Sequence, residues 1–193
     1  MQLGLFAPET AGPVTLTRGA TGEIVYLPAV FDEAFSARLF TKLDASAAWN
    51  AERRPMYDRV VDVPRLTARL DPETIARDLD LRAMSARVEA VTNARFNSVS
   101  LNLYRNERDS VAWHNDHEDE LAPDPVIALV SLGAVREMRI RSKELPRKTF
   151  RLALEPGSVL VMSGATQHHW EHHVPKERLP AAPRISVAFR QRR

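Results

Sequence analysis

The sequence predicts a mainly-β member of the α+β class: a double-stranded β-helix, or jelly roll, with two supporting helices ahead of it. Three observations lead there. From residue 96 onward apolar residues recur with a period of two in short runs separated by turn residues; two helical stripes precede that block; and no repeat or low-complexity linker interrupts the 193 residues. A hydrophobic content of 44% over that length supports one core, so residues 1–193 are expected to form a single domain. Within it, 1–95 would hold the helices, some strands and the substrate-recognition region, and 96–193 the jelly-roll core.

The elements follow in chain order. VTLTRG and EIVYLPAVF have the β-branched, alternating character of strands. Asp32 then stands where a helix N-cap would, and Phe35, Leu39 and Leu43 repeat every four residues along one face. A second stripe, Leu81, Met84, Val88 and Val91, marks another core-facing helix. The period-two block comprises FNSVSLNLY, SVAWHNDH, VIALVSLG, REMRIRS, FRLALEP, SVLVMSG and RISVAFRQ. That many short strands favour two packed sheets.

Composition excludes several classes. There is no apolar run of membrane-spanning length, and MQLGLFAPETAG has neither a basic start nor an export-length apolar stretch, so a soluble cytoplasmic protein is expected. With no cysteine, a metal would be held by imidazole and oxygen ligands. The net charge is +2 and the pI 9.2, with arginines grouped in ERRPMYDR, REMRIRSK and RQRR. A phosphate-bearing partner is compatible with this, although such groups are more often solvated faces.

Two segments carry the chemistry. In SVAWHNDH, His114 and Asp116 are two apart, which on a strand puts both side chains on one face. A third ligand would complete the two-histidine, one-carboxylate triad that leaves iron(II) with open positions. HHWEHHVP supplies candidates, since four of the six histidines lie within positions 168–173. A helix would pair His168 with His172 or His169 with His173, but Pro175 disfavours helix just before it, so an extended segment after a turn is expected. On spacing alone His172 and His173 remain equal candidates. In RISVAFR, Arg184, Ser186, Ala188 and Arg190 share one face, and arginines on a core face need anionic partners.

NLYRNERDSVAWHND, VSLGAVREMRIRSK, GSVLVMSGATQHHWEHHVPKE and PRISVAFRQ, in that order, resemble the catalytic core of the AlkB family, iron(II)- and 2-oxoglutarate-dependent dioxygenases that demethylate alkylated nucleic acids. The resemblance spans about residues 96 to 191 and continues more weakly through DVPRLTA. It implies His114, Asp116 and His172 as iron ligands, with His173 turned away. It further implies Arg184 and Arg190, with Asn102 and Tyr104, as contacts of 2-oxoglutarate. Ser186 stands where the family usually has asparagine and would reach less far. Dioxygen is the second co-substrate, and the N-methyl group would leave as formaldehyde.

For the substrate, methylated DNA or RNA and more readily single-stranded, the resemblance implies Glu118 as reader of the base edge and His114 as one wall of the base pocket. Relatives continue from a P-R-x-x-A motif into an aromatic-rich hairpin, whereas no aromatic occurs here from Arg65 to Arg95. Arg65 itself, Met56 and Tyr57 are the substrate-binding candidates, with Arg54 and Arg59 near enough in sequence to take phosphate. A monomer is expected. Two other readings stay open: the same iron chemistry on a protein side chain or small molecule, and a non-catalytic nucleic-acid-binding jelly roll.

Overall fold

A computed structural model describes residues 4–5, 12–56, 59–116 and 118–193, with only the backbone described for 4–5, 54–56 and 59–62. In chain order its elements are β1 (Gly4–Leu5), β2 (Val14–Thr17), β3 (Glu23–Leu27), α1 (Glu33–Ser46), β4 (Asn50–Met56), β5 (Arg59–Leu70), α2 (Pro72–Arg77), α3 (Leu79–Thr92), β6 (Ser98–Tyr104) and β7 (Val111–His114). After a single 3-10 turn (Glu118–Glu120) come β8 (Val126–Gly133), β9 (Arg136–Ser142), β10 (Thr149–Leu154), β11 (Val159–Ser163), α4 (Thr166–His169), β12 (Trp170–Val174) and β13 (Arg184–Arg190).

Two sheets result. The larger runs β2-β3-β11-β8-β13-β6-β5-β4 and the smaller β1-β10-β9-β12-β7. Strands from before and after residue 96 share the larger sheet, because β5 pairs with β6 and β3 with β11. The N-terminal part therefore extends the jelly roll as well as supporting it.

Each predicted helix starts where its cap demands. Asp32 accepts a hydrogen bond from the Phe35 N–H at 2.7 Å at the start of α1, and the Asp78 carboxylate accepts from the N–H groups of Asp80 and Leu81 at the start of α3. Helix α3 stops at Asn93, which adopts the left-handed conformation at φ 51°. Leu39 and Leu43 of α1 pack with Leu81, Met84 and Val88 of α3 against Val130, Leu132, Ile185 and Val187 of the larger sheet.

Alternation along β8 divides the core. Ala128, Val130 and Leu132 face the helices, whereas Ile127 and Leu129 face the smaller sheet with Met138, Ile140, Leu152 and Trp170. Burial of each such aliphatic side chain contributes roughly 1.5–3 kcal/mol. The turn ending β8 needs glycine: Gly133 has φ 83°, and a Cβ there would lie 2.6 Å from the Pro183 carbonyl oxygen and 2.7 Å from the Phe40 ring.

The structure corrects the reading at one place and sharpens it at two. Strand β7 ends at His114, so Asp116 lies in the loop beyond it and not on the strand. His168 and His169 belong to the one-turn helix α4, and only from Trp170 is the chain extended. A hairpin does flank the site: it is β4–β5, whose second strand runs through Arg65 to Leu70.

Candidate active site

His114, Asp116 and His172 each offer a ligand atom, and these atoms all lie within 4.8 Å of one another. Register explains the histidines: β12 pairs antiparallel with β7 and places His172 opposite His114, their rings 4.3 Å apart. Asp116 joins them from the loop, where the Gln167 Oε1 accepts its backbone N–H at 2.8 Å. The Arg190 guanidinium grips its carboxylate at 2.9 and 3.1 Å.

The protonation states suit a metal. Burial, reinforced by the neighbouring His114, pushes His172 down to about 3, so its imidazole is neutral with a lone pair available. Burial lowers His114 as well. The His114 Nδ1 sits 2.8 Å from the Ala112 carbonyl oxygen, so Nδ1 carries the proton and Nε2 is left for coordination. Although burial opposes ionisation of Asp116, the Arg190 charge and hydrogen bonds hold its carboxyl below the usual range. Two neutral imidazoles and a carboxylate without any thiolate match the donor set of a non-haem iron(II) centre.

The triad opens on a cleft of about 1360 Å³. Its floor is the concave face of the larger sheet, where alternate residues line up across paired strands: Asn50 opposite Thr67, Thr67 opposite Asn102, and Asn102 opposite Ser186. Asn102 accepts a hydrogen bond from the Arg65 Nε at 2.9 Å, which brings Arg65 into the cleft beside the triad. Deeper on the same face of β13, Arg184 is fully buried. Its Nη2 donates to the Ser131 Oγ at 2.9 Å and its guanidinium carbon lies 5.5 Å from the centre of the Tyr104 ring.

The Arg184 Nε and Nη1 have no hydrogen-bond partner. Burial, with a further push from the nearby Arg136 charge, lowers this arginine to about 10, still far above neutrality, so a full cation sits in the core with two unmet donors. An uncompensated buried charge is costly, and an anionic ligand is the ordinary remedy. A terminal carboxylate of 2-oxoglutarate fits that requirement, with Tyr104, Asn102 and Ser186 alongside. Arg190 has a different place: Asp116 occupies its fork, so the open donors belong to Arg184.

Other expected contacts fall elsewhere. Glu118 sits on the 3-10 turn with its carboxylate 3.6 Å from the His168 Nδ1 and does not line the cleft. Residues two apart on such a tight turn point in different directions, and it is Glu120, ion-paired with Arg192, that lines it. Met56 ends β4 with its side chain outside the description, and Tyr57 lies outside the described residues altogether. Arg54 and Arg59 sit on the hairpin near its tip, again with only their backbone described.

Four contributors had weak signals in the sequence or none. Gln167 directly precedes the histidine cluster but has no motif of its own. Arg136 is buried, with its Nη groups donating to the carbonyls of Asn106, Asp109 and Pro175; its Nε is 2.8 Å from the Glu177 carboxylate, an ion pair without hydrogen-bond alignment. Its position on the Met138 and Ile140 face of β9 was a usable clue, because an arginine at an inward position needs a built set of acceptors. Lys176 and Arg69, also lining the cleft, had none.

Comparison with known proteins agrees with this geometry. Residues 44–190 match the 2OG-Fe(II) oxygenase superfamily. The chain is 33% identical over 196 residues to the human alpha-ketoglutarate-dependent dioxygenase alkB homolog 3, covering 92% of this chain and 68% of that protein. It is 40% identical over 118 residues to the mouse DNA oxidative demethylase ALKBH2, covering 58% and 49% respectively. The solved structure of OsALKBH1 shares the fold at a TM-score of 0.62 and 18% identity, over 92% of this chain and all of that one, 100%. Family match, identity and metal geometry coincide: the chain belongs to the AlkB family of iron(II)- and 2-oxoglutarate-dependent dioxygenases.

Proposed function

We propose that this dioxygenase removes alkyl groups from the nitrogens of bases in single-stranded DNA or RNA, acting as a monomer and releasing a methyl group as formaldehyde. The observation that carries the reading is the His114, Asp116 and His172 triad opening on a cleft too large for the co-substrate alone. Pockets for one small ligand are commonly ~300–1000 Å³, and this one is about 1360 Å³. The mouse protein called DNA oxidative demethylase ALKBH2 is 40% identical over 58% of the chain. Arg69 and Lys176, on the larger sheet and after β12 respectively, place cations in the cleft where a sugar-phosphate strand would run.

Bound iron(II) with 2-oxoglutarate supplies the oxidation of a C–H bond by dioxygen, with succinate and carbon dioxide as co-products. The chain's own residues prepare that chemistry. His114 and His172 present neutral nitrogen donors, and Arg190 keeps Asp116 ionised and oriented. Arg184 anchors an anionic co-substrate by its two unmet donors, and Ser131 keeps the guanidinium in place. Leu129, Met138 and Ala188 contribute apolar surface to the cleft and limit water beside the reacting groups. A target base has to leave its stack to reach them, which a single strand permits at lower cost.

The test is incubation with a methylated single-stranded oligonucleotide, iron(II) and 2-oxoglutarate. Loss of the methyl group with stoichiometric formaldehyde is expected, faster than on the matching duplex. If 2-oxoglutarate is consumed while DNA and RNA oligonucleotides remain methylated, the substrate is a protein side chain or small molecule.

A further inference from the structure

The loop position of Asp116 raises the question of what holds the one triad member that no strand fixes. Arg190, itself anchored by the Ser100 hydroxyl, holds the carboxylate, but that pair leaves the loop backbone unattached. The backbone of the loop needs a second anchor. Gln167 meets that description: it is 2% exposed, and its Oε1 accepts the Asp116 N–H at 2.8 Å across 51 positions of chain.

Gln167 is itself clamped. The Lys143 Nζ donates to its carbonyl at 2.8 Å, and the Lys143 N–H donates to the His169 carbonyl at 2.9 Å, tying α4 to the loop after β9. Its amide nitrogen makes only long contacts, 3.8 Å to the Met162 sulfur and 3.4 Å to the Thr166 hydroxyl. The well-formed bond of this side chain is therefore the one to Asp116. Helix α4 runs straight into β12, so the element that carries Gln167 also delivers His172 five residues later.

We propose that Gln167 is a positioning residue for the metal centre, setting Asp116 relative to His172 through the Asp116 backbone. This rests on the three-ligand site and not on the identity of the substrate. The physical reason is preorganisation: a carboxylate on a free loop would have to be ordered when the ion binds, and the Gln167 bond orders it beforehand. Partners one step behind metal ligands commonly change affinity 10–100-fold.

Cobalt(II) titration of the metal-free protein, followed by its visible absorption, tests this without any substrate. Gln167→Met and Gln167→Leu fill the same space without a strong acceptor, and each is expected to raise the cobalt Kd roughly 10–100-fold and shift the absorption bands. Gln167→Glu retains an acceptor oxygen and should keep the Kd within about threefold of wild type. Wild-type-like Kd and spectrum in the Met and Leu variants overturn the proposal, as does a Glu variant as weak as Leu. Should the variants not fold, amide exchange in the metal-free wild-type protein decides: the Asp116 amide is expected to be protected, and exchange at the rate of the free loop overturns the assignment.

Discussion

The inner and outer faces of the β7–β12 pair contain the same kinds of residue and have opposite uses. His114 and His172 face inward and converge with Asp116 on the candidate metal position; their neighbours Trp113 and His173 lie on the other side of the strand pair and stack on each other at 4.2 Å. Arg141 lies 4.0 Å over the Trp113 ring and pairs with Glu171. Arginines divide the same way. Arg139 and Arg141 on the outer face have partly exposed carboxylate partners, while buried Arg184 has two donors without any. A one-residue step in register thus separates a candidate metal ligand from a stacked ring, because neighbours on a strand point to opposite sides.

The largest expected contrast is between adjacent histidines. His172→Ala should abolish metal-dependent turnover, by roughly three orders of magnitude or more, while His173→Ala stays within about threefold. Equal losses from the two, measured as 2-oxoglutarate consumption, would place the wrong histidine at the metal. The arginine contrast comes next. Arg184→Met should raise the Kd for 2-oxoglutarate by about two orders of magnitude, the scale of truncating a buried charge pair, and Arg141→Met should leave it unchanged. Calorimetric titration of the manganese-loaded protein reads both.

Acid sharpens the contrast in stability. His172 is about 3 when folded and near 6.5 when unfolded, so between those values the unfolded chain binds more protons. The metal-free protein should be fully stabilised by this histidine above pH 6.5 and lose that contribution as the pH falls toward 3. His172→Gln should flatten urea-melt stability over that window; identical pH slopes for the two proteins would contradict a buried, neutral His172. The smallest effect concerns the cleft cations. Arg69→Ala and Lys176→Ala should each reduce the salt dependence of single-strand binding by about 0.7 in log–log slope, and Arg139→Ala on the outer face should not.

Much of the fold was legible in the sequence. VIALVSLG and REMRIRS coincide residue for residue with β8 and β9, since Gly133 and the turn after it punctuate a clean alternation. Asp32 marked the start of α1 because the capping interaction is local. Less of the site was legible. Asp116 was placed on a strand that stops two residues earlier, and Glu118 was aimed at a cleft it does not line. Both errors arise after β7, where alternation ends and no periodicity constrains the side-chain direction.

The sequence by itself determined the mainly-β class and the Asp32 cap of α1, because these depend on residue type and short-range spacing; the family, and with it the choice of His114, Asp116 and His172 as donors, came through the resemblance of its motifs in order. Only the tertiary structure decided that Asp116 reaches the metal from a loop anchored by Gln167, that Arg190 grips Asp116 while Arg184 keeps open donors, and that Glu120 faces the cleft in place of Glu118. Those outcomes depend on contacts between segments 50 or more residues apart, and local pattern carries no information about which distant partner fills a given side of a strand.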